Sequence, residues 1–408
     1  MADNSTDSLE PAHGYVVTET EVYIALAWVI GVAALTPIVV GLLPRPRLPE
    51  VVLLLALGML IGPSGLGLAE VGPQISILSE LGLGMLFLMA GMEVEPALSR
   101  SRDGARALLA WTVSLVAAFA WTYLLSVLFG LEAWEALGIA LTSTSLGTLL
   151  PLLRDTGLQH QPLGRLVMAN GAVGEFGPIL AMSLLLTRGS AWGAVLALLG
   201  FSIVAVVIGV LLVRHTPRAE RVVAVVRRGA HTTAQAPVRL VMLLLTVMLA
   251  VSAEFGLDVI LGAFVAGAIV RMLLPPDHGW FKARLDGIGY GFLIPIFFVV
   301  SGMGIDYAVL IERWDITLVA FLSILVIRGV PVLLVFRHLP PRPRLQLGLF
   351  SATGLPIIVA VTTVAVEAGQ MTAEGQSIAV AAGMLTVLVL PMAAFGLHRP
   401  APEVKATS

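Results

Sequence analysis

The chain has no cysteine, so disulfides, thiolate metal sites and thiol catalysis are excluded. Charge is scarce as well. Lys, Arg, Asp and Glu make up 12% of the 408 residues, where a soluble domain carries about 25%. No basic cluster is dense enough to follow a nucleic acid, and the formal net charge of −2 draws no polyanion. Gly-rich nucleotide motifs, nucleophile–base arrangements and metal-ligand spacings are missing too. Neither a cofactor nor an enzymatic activity is expected.

What is present is apolar: 58% hydrophobic residues with 41 Gly, at a mean hydropathy of +0.95. These residues fall into runs near the ~20 residues that span a hydrocarbon core. Thirteen such segments are predicted, at about 22–43, 49–69, 74–92, 106–130, 132–152, 163–187, 190–213, 237–254, 257–273, 287–305, 314–336, 346–366 and 376–397. Arg and Lys crowd alternate connections, at Arg45 and Arg47, Arg100 to Arg106, Arg214 to Arg239, Arg271 to Arg284 and Arg337 to Arg344. The other connections hold mainly acids, with Arg188 and Arg313 as exceptions. By the positive-inside rule, an all-α polytopic cell-membrane protein is expected, with its N-terminus outside and its C-terminus in the cytoplasm. Residues 1–21 lack Lys and Arg, the wrong charge for a signal peptide, and read as an acidic tail; 398–408 read as a short cytoplasmic tail.

An internal repeat runs at an offset of about 210 residues. Leu88-Met89-Ala90-Gly91-Met92 answers Val299-Val300-Ser301-Gly302-Met303, and Leu57-Gly58-Met59 answers Ala266-Gly267-Ala268. Thr142-Ser143-Thr144-Ser145 answers Ser351-Ala352-Thr353-Gly354. Two six-helix halves joined by one extra helix (190–213) must lie in opposite orientations, the inverted-topology arrangement of secondary transporters.

An ionisable residue inside the bilayer costs at least about 2.5–3.5 kcal/mol and so needs a reason. Glu175 and Arg328 lie near the middle of their segments; Glu93, Glu95 and Glu254 lie at segment ends. A carboxylate withdrawn from water is neutralised by a proton or by a cation, which suits exchange. The bland reading of Glu175 is a structural acid locked to its charge partner, Arg328. Segments five and twelve place hydroxyls and glycine at mid-membrane depth, Thr142 to Ser145 with Gly147 and Pro151, and Thr353 with Gly354 and Pro356. They can break there and turn freed backbone groups toward an ion. Their bland reading is ordinary helix packing. Asn170, five residues before Glu175, can add an amide oxygen or orient the acid.

At Arg47-Leu48-Pro49-Glu50, Gly62-Pro63-Ser64-Gly65, Phe87-Leu88-Met89-Ala90-Gly91-Met92-Glu93, Leu261-Gly262-Ala263-Phe264 and Phe297-Phe298-Val299-Val300-Ser301-Gly302, the chain resembles the second branch of the monovalent cation:proton antiporter superfamily. That branch includes bacterial sodium/proton antiporters and the membrane part of glutathione-gated potassium efflux systems. The resemblance implies two crossed discontinuous helices (segments five and twelve). It also implies a mobile core (about 106–187 and 314–397) moving against a scaffold (about 22–92 and 237–305) that usually forms a homodimer. The family's ion-binding acid follows an Asp or Asn; here the pair reads Gly174-Glu175. Electroneutral exchange of Na+ or K+ for H+ at Glu175 is therefore expected, with Arg328 at the family's basic position. A potassium channel of the same fold and a non-transporting membrane sensor are the alternatives.

Overall fold

A computed structural model describes residues 19–42, 49–93, 101–185, 191–214, 235–273 and 279–397. Residues 1–18 of the expected N-terminal tail, the expected C-terminal tail and most of the Arg-rich connection after residue 214 lie outside the described residues, while Glu19 to Glu21 already belong to the first helix. Every described element is helical. In chain order these are α1 (Glu19–Leu42), α2 (Glu50–Ile61), α3 (Pro73–Glu93), α4 (Arg102–Phe129), α5 (Trp134–Ala140), α6 (Leu146–Asp155), α7 (Pro162–Leu185), α8 (Ala191–Arg214) and α9 (Ala236–Glu254). They continue as α10 (Val259–Leu273), α11 (Gly279–Ile288), α12 (Ile294–Met303), α13 (Tyr307–Glu312), α14 (Trp314–Val335), α15 (Pro341–Ser351), α16 (Pro356–Glu367) and α17 (Ala373–Gly396).

Among the described residues, nine helical stretches are long and apolar enough to cross a membrane, and three shorter apolar helices accompany them. Their outward residues, such as Leu35, Val116, Leu196, Leu243 and Leu334, are large, apolar and exposed. That suits a lipid-facing surface and no aqueous one. The buried faces carry the polar residues instead, among them Thr142 to Ser145, Asn170, Glu175, Arg328 and Thr353. The chain is a multi-pass membrane protein.

Two boundaries differ from expectation. The second apolar segment is helical only to Ile61, because the chain turns at Gly62-Pro63, where the amide of Gly65 donates to Gly62 O. The tenth starts early, at Gly279, and passes through a wide π-helical turn, Gly289–Leu293, before α12. Lys282, Arg284 and Asp286 in its first turns hide that start from hydropathy.

Glycines set the closest helix approaches. A Cβ on Gly58 would lie 2.2 Å from Val299 O, and one on Gly302 2.3 Å from Leu55 O, so α2 and α12 touch through reciprocal glycines. Gly91 and Gly267 do the same for α3 and α10, with 2.1 Å to Phe264 O and 2.0 Å to Leu88 O. Missing side chains let the backbones meet, as in other membrane interfaces.

Candidate functional site

Two membrane segments are interrupted, and their breaks touch. α5 ends at Ala140 and α6 begins at Leu146; α15 ends at Ser351 and α16 begins at Pro356. Between them the amide of Ser145 donates to Thr353 O at 2.8 Å, and the Thr144 hydroxyl donates to Ser351 O. Gly354 lies so close to Ser143 that a Cβ there would be 2.6 Å from Ser143 Oγ.

The start of a helix leaves amides without intrahelical partners. At α6, Glu175 of α7 supplies the acceptor: Leu146 N–H donates to its Oε1 at 2.6 Å and Gly147 N–H at 3.2 Å. A carboxylate thus caps a half-helix from a neighbouring helix, where the amide dipoles favour negative charge. Among the described residues, its other oxygen, Oε2, has no hydrogen-bond partner. The second half-helix is capped differently. Pro356 has no N–H to offer, and Gly354 N–H instead donates to Thr386 Oγ1 at 3.2 Å.

Pro178 shapes the same spot. It sits inside α7 and cannot donate to the carbonyl four residues back, so Gly174 O is free; the amide of Thr144 takes it at 2.9 Å. Arg328, fully buried on α14, donates from Nε to Thr144 Oγ1 at 2.9 Å and from Nη2 to the main-chain O of Asn170 at 3.0 Å. No ion pair within 4.0 Å joins it to Glu175 among the described residues. The arginine is seated by neutral acceptors, and Glu175 by amides.

Glu175 lines a cavity of about 240 Å³ together with Ser145, Gly147, Thr148, Glu50, Glu93 and Tyr290. Of the polar residues expected to support an ion, Ser145 alone shares this cavity. Its Oγ accepts from Thr148 N at 3.3 Å. Thr142 turns its hydroxyl back to Ile139 O at 2.8 Å, since it continues the last turn of α5. Thr353 does the same to Leu349 O at 3.2 Å. The Asn170 amide donates to Leu166 O at 3.0 Å, and among the described residues its Oδ1 is buried without a partner, as are Ser143 Oγ and Arg328 Nη1. Asn170 therefore reaches the arginine through its backbone and does not contact Glu175 through its side chain.

A profile of the sodium/hydrogen exchanger transmembrane family matches residues 30–397. The chain belongs to this family. Among curated exchanger relatives, it is 28% identical over 316 residues to the Na(+)/H(+) antiporter NhaS4 of Synechocystis, covering 70% of this chain and 74% of that protein. It is 28% identical over 360 residues to YjbQ of Bacillus subtilis, whose name gives a Na(+)/H(+) antiporter; 83% of this chain but only 57% of that longer protein is covered. The glutathione-regulated potassium-efflux system protein KefC of Escherichia coli is 29% identical over 333 residues, covering 77% of this chain and 50% of KefC. The fold is that of the solved sodium proton antiporter MjNhaP1 of Methanocaldococcus jannaschii. The TM-score is 0.62 at 19% identity, covering 92% of this chain and 99% of that one.

The residue before Glu175, where the sequence resemblance implies an Asp or Asn, is Gly174. A Cβ there would lie 2.5 Å from Thr144 Cβ and 2.9 Å from Arg328 Nη2. Thr144 and the arginine occupy the room that side chain would need. Glu93, Tyr290 and the Leu146 and Gly147 amides were not singled out by sequence. Glu93 was passed over as a segment-end acid, and main-chain amides carry no residue-type signal.

Proposed function

We propose that the chain exchanges Na+ or K+ for H+ by alternating access, with Glu175 as the group for which cation and proton compete. One observation carries this reading. Glu175 is a membrane-buried carboxylate that spends Oε1 on two half-helix amides and, among the described residues, leaves Oε2 without a hydrogen bond beside a cavity. An oxygen so placed accepts either a proton or a dehydrated cation, and each removes the charge the other needs. Relatives named as Na(+)/H(+) antiporters and as a potassium-efflux protein support both candidate cations.

Stoichiometry follows from what faces Glu175. Arg328 donates from Nε and Nη2 to neutral acceptors, not to Glu175, and stays charged, so one carboxylate cycles between one cation and one proton, and exchange is electroneutral. The tight glycine contacts support a division into two bodies. Approaches under 3 Å between helices fall within α2, α3, α9, α10 and α12 with the Gly289–Leu293 turn, or within α4, α6, α7 and their partners in the other half; Gly200 of α8 meets Phe255, beside the first set, at 2.7 Å, and among the described residues none joins the two sets. We assign the first set to the scaffold and the second to the moving core, in a cell membrane with the Arg-rich connections in the cytoplasm.

The test is reconstitution into liposomes holding a pH dye, with Na+, K+ or Li+ added in turn. Cation-driven proton release is expected, unchanged when valinomycin clamps the voltage, and abolished in Glu175→Gln. Flux that survives Glu175→Gln sinks the mechanism. A channel of this fold would pass cations with no linked proton signal.

A further inference from the structure

A groove of about 650 Å³ runs between α4 and α7 and shares no residue with the cavity of Glu175. Every residue that lines it is Gly, Ala, Val, Leu, Phe or Trp. Leu108, Phe176 and Leu185 are exposed along it, so it opens onto the lipid-facing surface. Small residues hollow it out, and Gly177 lets the Trp111 ring lie against α7, where a Cβ would come within 2.3 Å of that ring. Along α7 the lining runs from Ala169 to Leu185, about 24 Å of helix. The volume spread over that length gives a bore of roughly 30 Å², too narrow for a helix 10–12 Å across. A hydrocarbon chain fits it.

Both walls carry an arginine at the same end. Arg102 precedes Ala105 by three residues and Arg165 precedes Ala169 by four, spacings that keep each on the lining face of its helix. One interrupted membrane crossing separates α4 from α7, so the two helices run the same way. From the Trp111–Gly177 contact, Arg102 lies nine residues and Arg165 twelve toward that end, or about 14 and 18 Å. Half of a hydrocarbon core is about 15 Å. The arginines therefore stand at one membrane surface while the aromatic contact lies near mid-bilayer. Both are exposed, and neither has an ion-pair partner within 4.0 Å among the described residues. Nearby Arg106, in contrast, bonds to His338 and Asp103. Topology alone would put arginines at this face; the fold sets two of them at the head of one apolar groove.

We propose that the groove between α4 and α7 is a binding site for an acyl chain of an anionic phospholipid, with Arg102 and Arg165 holding its phosphate. Two cations favour an anionic headgroup over a zwitterionic one, which brings its own cation against them. The site also borders the division between the two bodies assigned above. Phe176 in its wall stacks on Phe264 of α10, ring centroids 5.1 Å apart and planes 22° from parallel. A lipid there touches α7 beside Glu175 at the seam between core and scaffold. Its binding does not depend on the exchange reading; its influence on the core's movement does.

Trp111 provides the test in the full chain. The protein is reconstituted into phosphatidylcholine vesicles doped with either phosphatidylglycerol or phosphatidylcholine carrying brominated acyl chains. Quenching due to Trp111 is the difference between wild type and Trp111→Phe. Each basic residue near an anionic headgroup strengthens binding about fivefold. Brominated phosphatidylglycerol should thus quench Trp111 at a mole fraction about tenfold or more below that needed by brominated phosphatidylcholine. The double variant Arg102→Gln/Arg165→Gln should erase the preference. Equal quenching by the two lipids, the mark of an ordinary lipid annulus, overturns the proposal, as does a preference that survives the double variant. If Trp111→Phe fails to assemble, native mass spectrometry replaces it. Wild type should then keep one phosphatidylglycerol through detergent exchange and the arginine variant should lose it; retention by both, or by neither, overturns the proposal.

Discussion

Gly174→Ala is the smallest change that loads the centre of the site. The added Cβ would sit 2.5 Å from Thr144 Cβ and Oγ1, about 0.9 Å short of the 3.4 Å where ordinary contact begins. Thr144 cannot retreat freely. Its amide is tied to Gly174 O, its hydroxyl donates to Ser351 O and accepts from Arg328 Nε. Overpacking of this kind costs about 1–3 kcal/mol, and loosening one hydrogen bond to a buried charge adds about 1.5–3 kcal/mol. A loss of roughly 3 kcal/mol or more is expected. The assay is thermal unfolding of purified protein in detergent, followed by fluorescence-detected size exclusion. Gly31→Ala serves as control, because nothing lies within 4 Å of a Cβ at Gly31 in α1; it should be neutral or stabilising by up to ~1 kcal/mol. If Gly174→Ala melts with the control, the packing argument is wrong. The same distances mean that Gly174→Asp cannot be accommodated without displacing Thr144.

Arg328→Lys should destabilise by about 1.5–3 kcal/mol in the same unfolding assay, because one ammonium cannot serve both Thr144 Oγ1 and Asn170 O as the guanidinium fork does; an unchanged midpoint would show the fork is dispensable. Gly58→Ala and Gly267→Ala force a Cβ to within 2.2 Å and 2.0 Å of a facing carbonyl oxygen. Each should reduce the yield of folded protein severalfold on size exclusion, and wild-type yields would refute the reciprocal-glycine account. Glu93 lines the Glu175 cavity and is bridged to Lys282 at 3.4 Å. Glu93→Gln should raise the half-saturating cation concentration about fivefold at low ionic strength, the equivalent of ~1 kcal/mol of lost attraction, with the effect shrinking as salt is added. An effect independent of salt would show that Glu93 acts by contact and not through its field.

The fold was legible wherever hydropathy and helix coincide. α1, α3, α7, α14 and α17 begin and end within a few residues of the apolar runs, because in a bilayer the backbone must satisfy itself and the helix persists as long as the side chains stay apolar. Legibility failed where composition and backbone part company. Residues 62–69 are apolar enough to extend α2, yet Gly62-Pro63 turns the chain away. Residues 279–286 carry Lys282, Arg284 and Asp286, yet continue the helix down toward Glu93. The breaks at 141–145 and 352–355 were readable because hydroxyls, glycine and proline cluster there in both halves of the repeat.

At the candidate site Glu175, Arg328 and Ser145 were legible as individual residues, and their pairing was opaque. Glu175 and Arg328 stand out as ionisable groups deep in apolar segments, and the obvious inference joins opposite charges. The structure keeps them apart, since each finds a partner that no side-chain pattern displays: amides at the start of a half-helix for the acid, a main-chain carbonyl and a hydroxyl for the base. One local signal did point to this. A proline four residues after a glycine in a helix strips that glycine's carbonyl of its donor, so Gly174 and Pro178 together mark a carbonyl that must be met from outside α7. The break at Thr144 meets it, at 2.9 Å. That bond draws Thr144 and the arginine it holds against position 174, leaving no room for a side chain there. The glycine at 174 and the arginine's separation from Glu175 are then two results of one packing arrangement, and Glu175 is left as the carboxylate the breaks hold.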